Sequence, residues 1–362
     1  MKLIVEPDQA AAPLLSAIKS ARQSLEITIF RMDRRDIEDA LVAAAARGVR
    51  VTALVAYSNR GGERLLRNLE MRLLQAGVIV ARTRDDLVKY HDKFMIVDRK
   101  TLHVLSFNFT HLDITHSRAF GISTRNTALV QEAAKLFEAD CTRSNYSSSL
   151  SSFIVSPTNA RKELSTFLRR ARKQLLIYDP EISDKEMTKI LKERARAGVE
   201  IRIIGRASRD EDLPCAELSG LRLHTRTIVR DHHQAFLGSQ SLRAMELDKR
   251  REVGVIIRDP KIVKSLGDTF EKDWAQTEAV DGRIKTEPAK RKNGVDADRI
   301  NEVLLKELHP VALTVKRAVK KVVAKAGDEA IQDEDVKRTV KKILKKAVKQ
   351  AVKDVTQGAA CA

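Results

Sequence analysis

One stretch of this chain has residue types and spacing suited to chemistry on a phosphate: Tyr90-His91-Asp92-Lys93-Phe94-Met95-Ile96-Val97-Asp98, a His-x-Lys-x4-Asp pattern. On an extended strand alternate side chains share a face, so His91 and Lys93 should point together and Asp92 away. Asp98-Arg99-Lys100 can form the turn that follows. The partner strand then brings Ser106 and Asn108, two apart and so again on one face. An imidazole, an ammonium, a hydroxyl and an amide would converge on one patch. That set supplies one nucleophile or acid and several donors for non-bridging oxygens.

A second copy keeps the spacing with other letters. His224-Thr225-Arg226-Thr227-Ile228-Val229-Arg230-Asp231 reads His-x-Arg-x4-Asp, and Gly238-Ser239-Gln240-Ser241 follows. Arg226 is still a cation, now a bidentate donor in place of a point charge. Asp98 and Asp231 are expected to steady their turns by hydrogen bonding and not to move protons. His232 and His233 fall in the second turn and should be exposed, while His103, His111, His116 and His309 belong to no constellation.

His-x-Lys-x4-Asp followed by Ser-x-Asn resembles the HKD motif of the phospholipase D superfamily. Leu3-Ile4-Val5-Glu6-Pro7 and Ala46-Arg47-Gly48-Val49-Arg50-Val51 add to the likeness, which covers roughly residues 1–280. The resemblance implies two α-β-α lobes with one site where two motifs meet. It implies His91 and His224 as the catalytic pair, one attacking phosphorus to form a phosphohistidine and the other protonating the leaving oxygen. His91 is favoured as the nucleophile. Near neutrality, one neutral and one charged imidazole is the expected state, the two titrating as a coupled pair. Lys93, Ser106, Asn108, Arg226, Ser239 and Ser241 would bind the phosphate. A later acid often orients the histidine in such motifs; Glu252 fills that place in the second copy and Ala119 in the first. The sequence departs from the pattern at Leu105, where the family has Gly, and at Arg226 and Ser241.

The elements that must position these residues are also duplicated. Residues 15–55 and 165–205 read alike 150 positions apart: a helical pattern ending Ala21-Arg22 or Ala171-Arg172, a strand, a second helix closing on Gly48-Val49 or Gly198-Val199, and a β-branched strand. From the motif onward the spacing is 133, pairing Asp98 with Asp231, Ser106 with Ser239, Arg118 with Arg251, and Phe137-Glu138 with Phe270-Glu271. The second copy has therefore lost 17 residues between its strands. Strand–helix–strand succession predicts an α/β fold of two tandem lobes. The expected division is 1–142, a serine-rich linker over 143–157, a second repeat over 158–282, and a basic helical extension over 283–362. In that extension Val336, Val340, Ile343, Ala347, Ala351 and Val355 keep an apolar stripe, and Lys337, Lys341, Lys345 and Lys349 a basic one.

Bulk composition bounds the rest. In 362 residues, apolar side chains make up 43% and aromatics 4%, so the core must come mainly from Leu, Val, Ile and Ala. The formal charge of +18 favours an anionic partner, either an acidic phospholipid surface or, through the basic tail, nucleic acid. Three scattered cysteines form neither a disulfide framework nor a metal-ligand spacing, and no apolar run approaches the roughly 20 residues of a membrane span. A cytoplasmic monomer, peripheral to any membrane it meets and using no metal or cofactor, is the expectation. Three functions stay open: a metal-independent phosphodiesterase or phosphatidyltransferase on phospholipid, a nuclease of the same chemistry, and a non-catalytic binder of phosphate-bearing ligands.

Overall fold

The computed structural model describes residues 1–9, 11–59, 63–207 and 213–279. The basic extension, with His309 and the lysine stripe, lies outside the described residues. So does the second of two compact units, Ile284–Ala362; both repeats fall in the first, Met1–Arg283.

The first lobe runs β1 (Lys2–Glu6), α1 (Ala12–Ser20), β2 (Ser24–Ile29), α2 (Arg35–Ala46), β3 (Arg50–Val55), α3 (Glu63–Gln75), β4 (Ile79–Arg82), β5 (Lys89–Tyr90), β6 (Phe94–Val97), β7 (Thr101–Leu105), α4 (His111–Thr115), β8 (Ser117–Thr124) and α5 (Thr127–Thr142). The second runs β9 (Phe153–Ser156), α6 (Ala160–Arg169), β10 (Gln174–Ile182), α7 (Lys185–Arg196), β11 (Glu200–Ala207), β12 (Cys215–Glu217), β13 (Arg222–Leu223), β14 (Arg226–Arg230), β15 (Gln234–Gly238), α8 (Ala244–Asp248), β16 (Arg250–Ile257), α9 (Pro260–Trp274) and β17 (Glu278–Ala279). The sheets share one strand order, β1-β8-β7-β6-β2-β3-β4 in the first and β9-β16-β15-β14-β10-β11-β12 in the second. The helix between the parallel strands β3 and β4, α3, has no counterpart among the described residues of the second lobe. It accounts for most of the 17-residue difference in spacing.

Three apolar layers result. Helices α1 and α2 cover the outer face of the first sheet, and α6 and α7 that of the second. Between the sheets lies a shared core into which both lobes project, with Phe94, Phe120 and Phe137 from one and Phe153, Tyr178 and Phe270 from the other. The few aromatics are concentrated here: Phe120, Tyr178 and Phe270 meet edge to face in sequence.

The 143–157 segment is not a free linker. Glu132 accepts hydrogen bonds from Tyr146 Oη at 2.6 Å and from Ser149 N and Oγ at 3.0 and 2.5 Å. Phe153–Ser156 is a strand antiparallel to β16, as β1 is to β8. The serine content invites a linker reading, but Phe153-Ile154-Val155 alternates like Leu3-Ile4-Val5 and pairs accordingly.

Candidate active site

Each histidine is placed by a segment that crosses to the other lobe. β5 pairs with β16 of the second lobe, and His91 N donates to Arg251 O at 2.8 Å. β13 pairs with β8 of the first lobe, and His224 N donates to Arg118 O at 3.1 Å. The motif histidines therefore precede β6 and β14 and lie outside the regular strands expected for them. Ser106 and Asn108 likewise fall in a bend after β7. The crossings are locked by reciprocal ion pairs: Arg118 reaches Asp273 at 2.8 Å, and Arg251 reaches Asp140 at 3.0 Å. Burial lifts Asp140 to about 7 against the pull of Arg251.

His91 and His224 line one cavity of about 460 Å³, together with Asn108, Asp113, Arg226 and Glu246. Its lining includes the apolar Phe30, Met32, Leu66 and Leu69 and the exposed Leu65 and Leu112. Lys89, Arg222, Arg243 and Arg250 bring positive charge.

Glu252 serves the histidine of the other repeat. Its two oxygens lie 2.9 Å from His91 Nδ1, not beside His224 as its place in the second copy implied. The reason is the crossing: Glu252 follows Arg251, whose carbonyl holds His91, so the carboxylate falls behind that ring. Held through Nδ1, His91 keeps Nε2 outside that contact. Burial, reinforced by Lys93 and Arg226, keeps His91 well below the usual histidine range, and so neutral. Burial lifts Glu252 to about 8, with Lys93 opposing.

His224 meets Ala119 at the equivalent place, and Asp113 instead: Oδ2 stands 3.0 Å from His224 Nε2. Burial lowers His224 to about 4, a shift that Asp113 resists. Burial also opposes ionisation of Asp113, but His224, Asn108 N–H and Arg222 outweigh it and hold the carboxyl well below its usual range. Both imidazoles are thus pushed toward the neutral form by their burial. Negative charge arriving on a phosphodiester favours the imidazolium.

The other anticipated residues divide into two groups. Lys93, 1% exposed, donates to His91 O and lies 5.6 Å over the Phe30 ring, which itself packs edge-on against His91. Burial lowers it to about 8, with Glu252 opposing. Arg226 does the same for its own half, donating from Nη1 to His224 O at 2.7 Å and from Nε to Ser241 Oγ at 3.2 Å. Asn108 lines the cavity and gives Nδ2 to Asp113 at 2.7 Å. Ser106 and Ser239, however, are fully buried. Ser106 Oγ accepts from Phe120 N at 3.0 Å, and Ser239 Oγ accepts from Val253 N at 3.2 Å. Neither they nor Ser241, 1% exposed, belongs to the cavity lining.

Asp98 and Asp231 act on turns. Both adopt a left-handed conformation, φ 51° and 54°, tolerated by Asp in a hairpin turn. Asp98 accepts from the backbone N–H of Arg22, Gln23 and Ser24, and Asp231 from those of Arg172, Lys173 and Gln174. Leu105 is compatible with its site because it packs over Gly121, where a Cβ would meet it at 2.7 Å. Asp113 and Glu246 were missed in the sequence. The signal was their 133-residue separation, five positions after Asn108 and Ser241. Among the described residues no cluster of three or more His, Cys, Asp or Glu could hold a metal ion, and no helix is long and apolar enough to cross a membrane.

Comparison with known proteins agrees with this architecture. The family described as "Cardiolipin synthase, PLD-like domain" matches residues 14–141. Mitochondrial cardiolipin hydrolase of Mus musculus is 30% identical over 131 residues, 36% of this chain and 58% of that protein, so the chain spans little over half of the curated relative it matches. Phosphatidylserine synthase of Haemophilus influenzae Rd KW20 superimposes with a TM-score of 0.64 at 10% identity, over 86% of this chain and 93% of that one. Polyphosphate kinase of Porphyromonas gingivalis gives 0.63 at 20% identity, over 84% and 55%. At such identities these two likenesses are of fold. Two histidine motifs thus cross between duplicated lobes to line one cavity, and residues 14–141 of the first lobe match a phospholipase D-like domain.

Proposed function

We propose that this protein is a phosphodiesterase or phosphatidyltransferase acting on phospholipid, working without a metal through a phosphohistidine on His91. His91, neutral and backed by Glu252, attacks phosphorus through Nε2 while His224 protonates the leaving oxygen. Arg226 and the Asn108 amide stabilise the crowded phosphorus, with Lys93 holding the His91 backbone. Water or an alcohol then takes the phosphoryl group from His91, with His224 as base.

The observation that carries the lipid reading is the mixed lining of the cavity. Phe30, Met32, Leu65, Leu66, Leu69 and Leu112 line it together with the histidine pair and six basic side chains. An amphiphilic diester has an apolar part and an anionic part to match. The cationic side chains also suit a nucleic-acid strand, which makes nuclease the second reading.

The test is turnover in EDTA with phosphatidylglycerol or phosphatidylcholine vesicles beside single- and double-stranded DNA and RNA. Headgroup release lost in His91→Ala supports the lipid reading. Cleavage of nucleic acid alone replaces it with the second, and turnover of neither rejects both in favour of a non-catalytic phosphate binder.

A further inference from the structure

Asp113 and Glu246 share one task in the two half-sites. Asp113 Oδ2 accepts Asn108 N–H at 2.8 Å, and Glu246 Oε2 accepts Ser241 N–H at 2.7 Å. Each also pairs with an arginine, Arg222 and Arg250. Asp113 does something more. It is 4% exposed, fixed by two donors of Asn108, and its Oδ2 is 3.0 Å from His224 Nε2. The contact is not a well-aligned hydrogen bond: among the described residues Nε2 has no partner of good geometry, although the oxygen is in range. Charge is supplied there without consuming the proton.

The repeat explains why such a group is needed. The first half-site has a carboxylate behind Nδ1 of its histidine; the second has Ala119 in that place. We propose that Asp113 is the positioning residue of the acid: it stabilises the His224 imidazolium from beside Nε2 and leaves that N–H free for the leaving oxygen. This rests on the phosphodiesterase reading. As the bond from phosphorus to His91 Nε2 forms and the bond to the leaving oxygen breaks, the His224 Nε2 proton passes to that oxygen. Asp113 stays ionised throughout and favours the return of a proton when water is deprotonated in the second step.

Four groups face His224: Asp113 from α4, Arg222 from β13, Arg226 from β14, and His91 ahead of β6. Burial and both guanidiniums act against the imidazolium, and Asp113 acts for it.

The test is a ¹⁵N-imidazole NMR titration of the full chain, with His224 assigned by its loss in His224→Gln. Asp113→Asn should lower the His224 midpoint by about one pH unit or more. If Asp113→Asn does not fold, Arg222→Gln, at a side chain 41% exposed, tests the pair from the solvent side and should raise the midpoint. A midpoint unmoved by Asp113→Asn, or by Arg222→Gln, overturns the proposal. Diester turnover is measured in parallel: its absence beside an Asp113-dependent midpoint would reject the phosphodiesterase reading alone.

Discussion

Ala119 stands where the second lobe has Glu252, and for that reason only one of the two motif histidines has a carboxylate behind its Nδ1. The lobes repeat each other in strand order, turn chemistry and interlobe ion pairs, yet the two halves of the site are chemically different. Asymmetry of this kind suits two histidines with two jobs.

Glu252→Gln keeps the shape behind His91 and removes the ionisable partner of its Nδ1. The expected outcome is a loss of kcat on the order of 10²-fold or more with KM little changed. Steady-state kinetics on a soluble diester would show it. A loss confined to KM would mean that Glu252 only shapes the site.

Leu65→Ser and Leu112→Ser alter residues of the cavity lining that are 65% and 51% exposed. Activity on phospholipid vesicles should drop severalfold while turnover of a small soluble diester is retained. Equal loss on both substrates would count against these leucines as a lipid contact.

Arg118→Met would leave Asp273, 4% exposed, without its guanidinium partner. Breaking a buried pair from one side costs about 3–5 kcal/mol. Chemical denaturation should register that loss, and Arg251→Met should behave alike against Asp140. An effect below about 1 kcal/mol would show the crossings to be weakly held.

His103 is buried in β7 with neither ring nitrogen hydrogen-bonded within the protein, and burial lowers it to about 4. The unfolded chain, with its histidine near 6.5, binds the proton first. Stability from the neutral ring is therefore complete above pH ~6.5 and lost as pH falls toward 4, by about 3 kcal/mol. The second lobe has Phe236 at the matching position. His103→Phe should reduce the difference in unfolding free energy between pH 7 and pH 4.5; an unchanged difference would show that His103 is not the acid-sensitive group.

Much of this was legible in the sequence because it is local or periodic. The duplicated helices and strands, the histidine pair and the turn aspartates all follow from spacing. The partner of Glu252 did not, because a linear alignment assigns an acid to its own repeat, whereas β5 and β13 exchange lobes. The burial of Ser106 and Ser239 was not legible either: spacing gives their order along the chain, but not that their hydroxyls accept from Phe120 N–H and Val253 N–H within the sheet. Asp113 was overlooked because a lone acid after Asn108 carries no pattern until the fold brings Arg222 and His224 to it from the other repeat.

The central claim is that His91, and not His224, bonds to phosphorus. It is tested most directly by trapping the phosphorylated enzyme from an activated phosphodiester at low temperature and mapping the acid-labile, alkali-stable adduct by mass spectrometry. The adduct is expected on His91 in the wild type, to persist there in His224→Ala, where the activated leaving group needs no acid, and to vanish in His91→Ala. An adduct on His224, or turnover in the His91→Ala variant, would contradict the account.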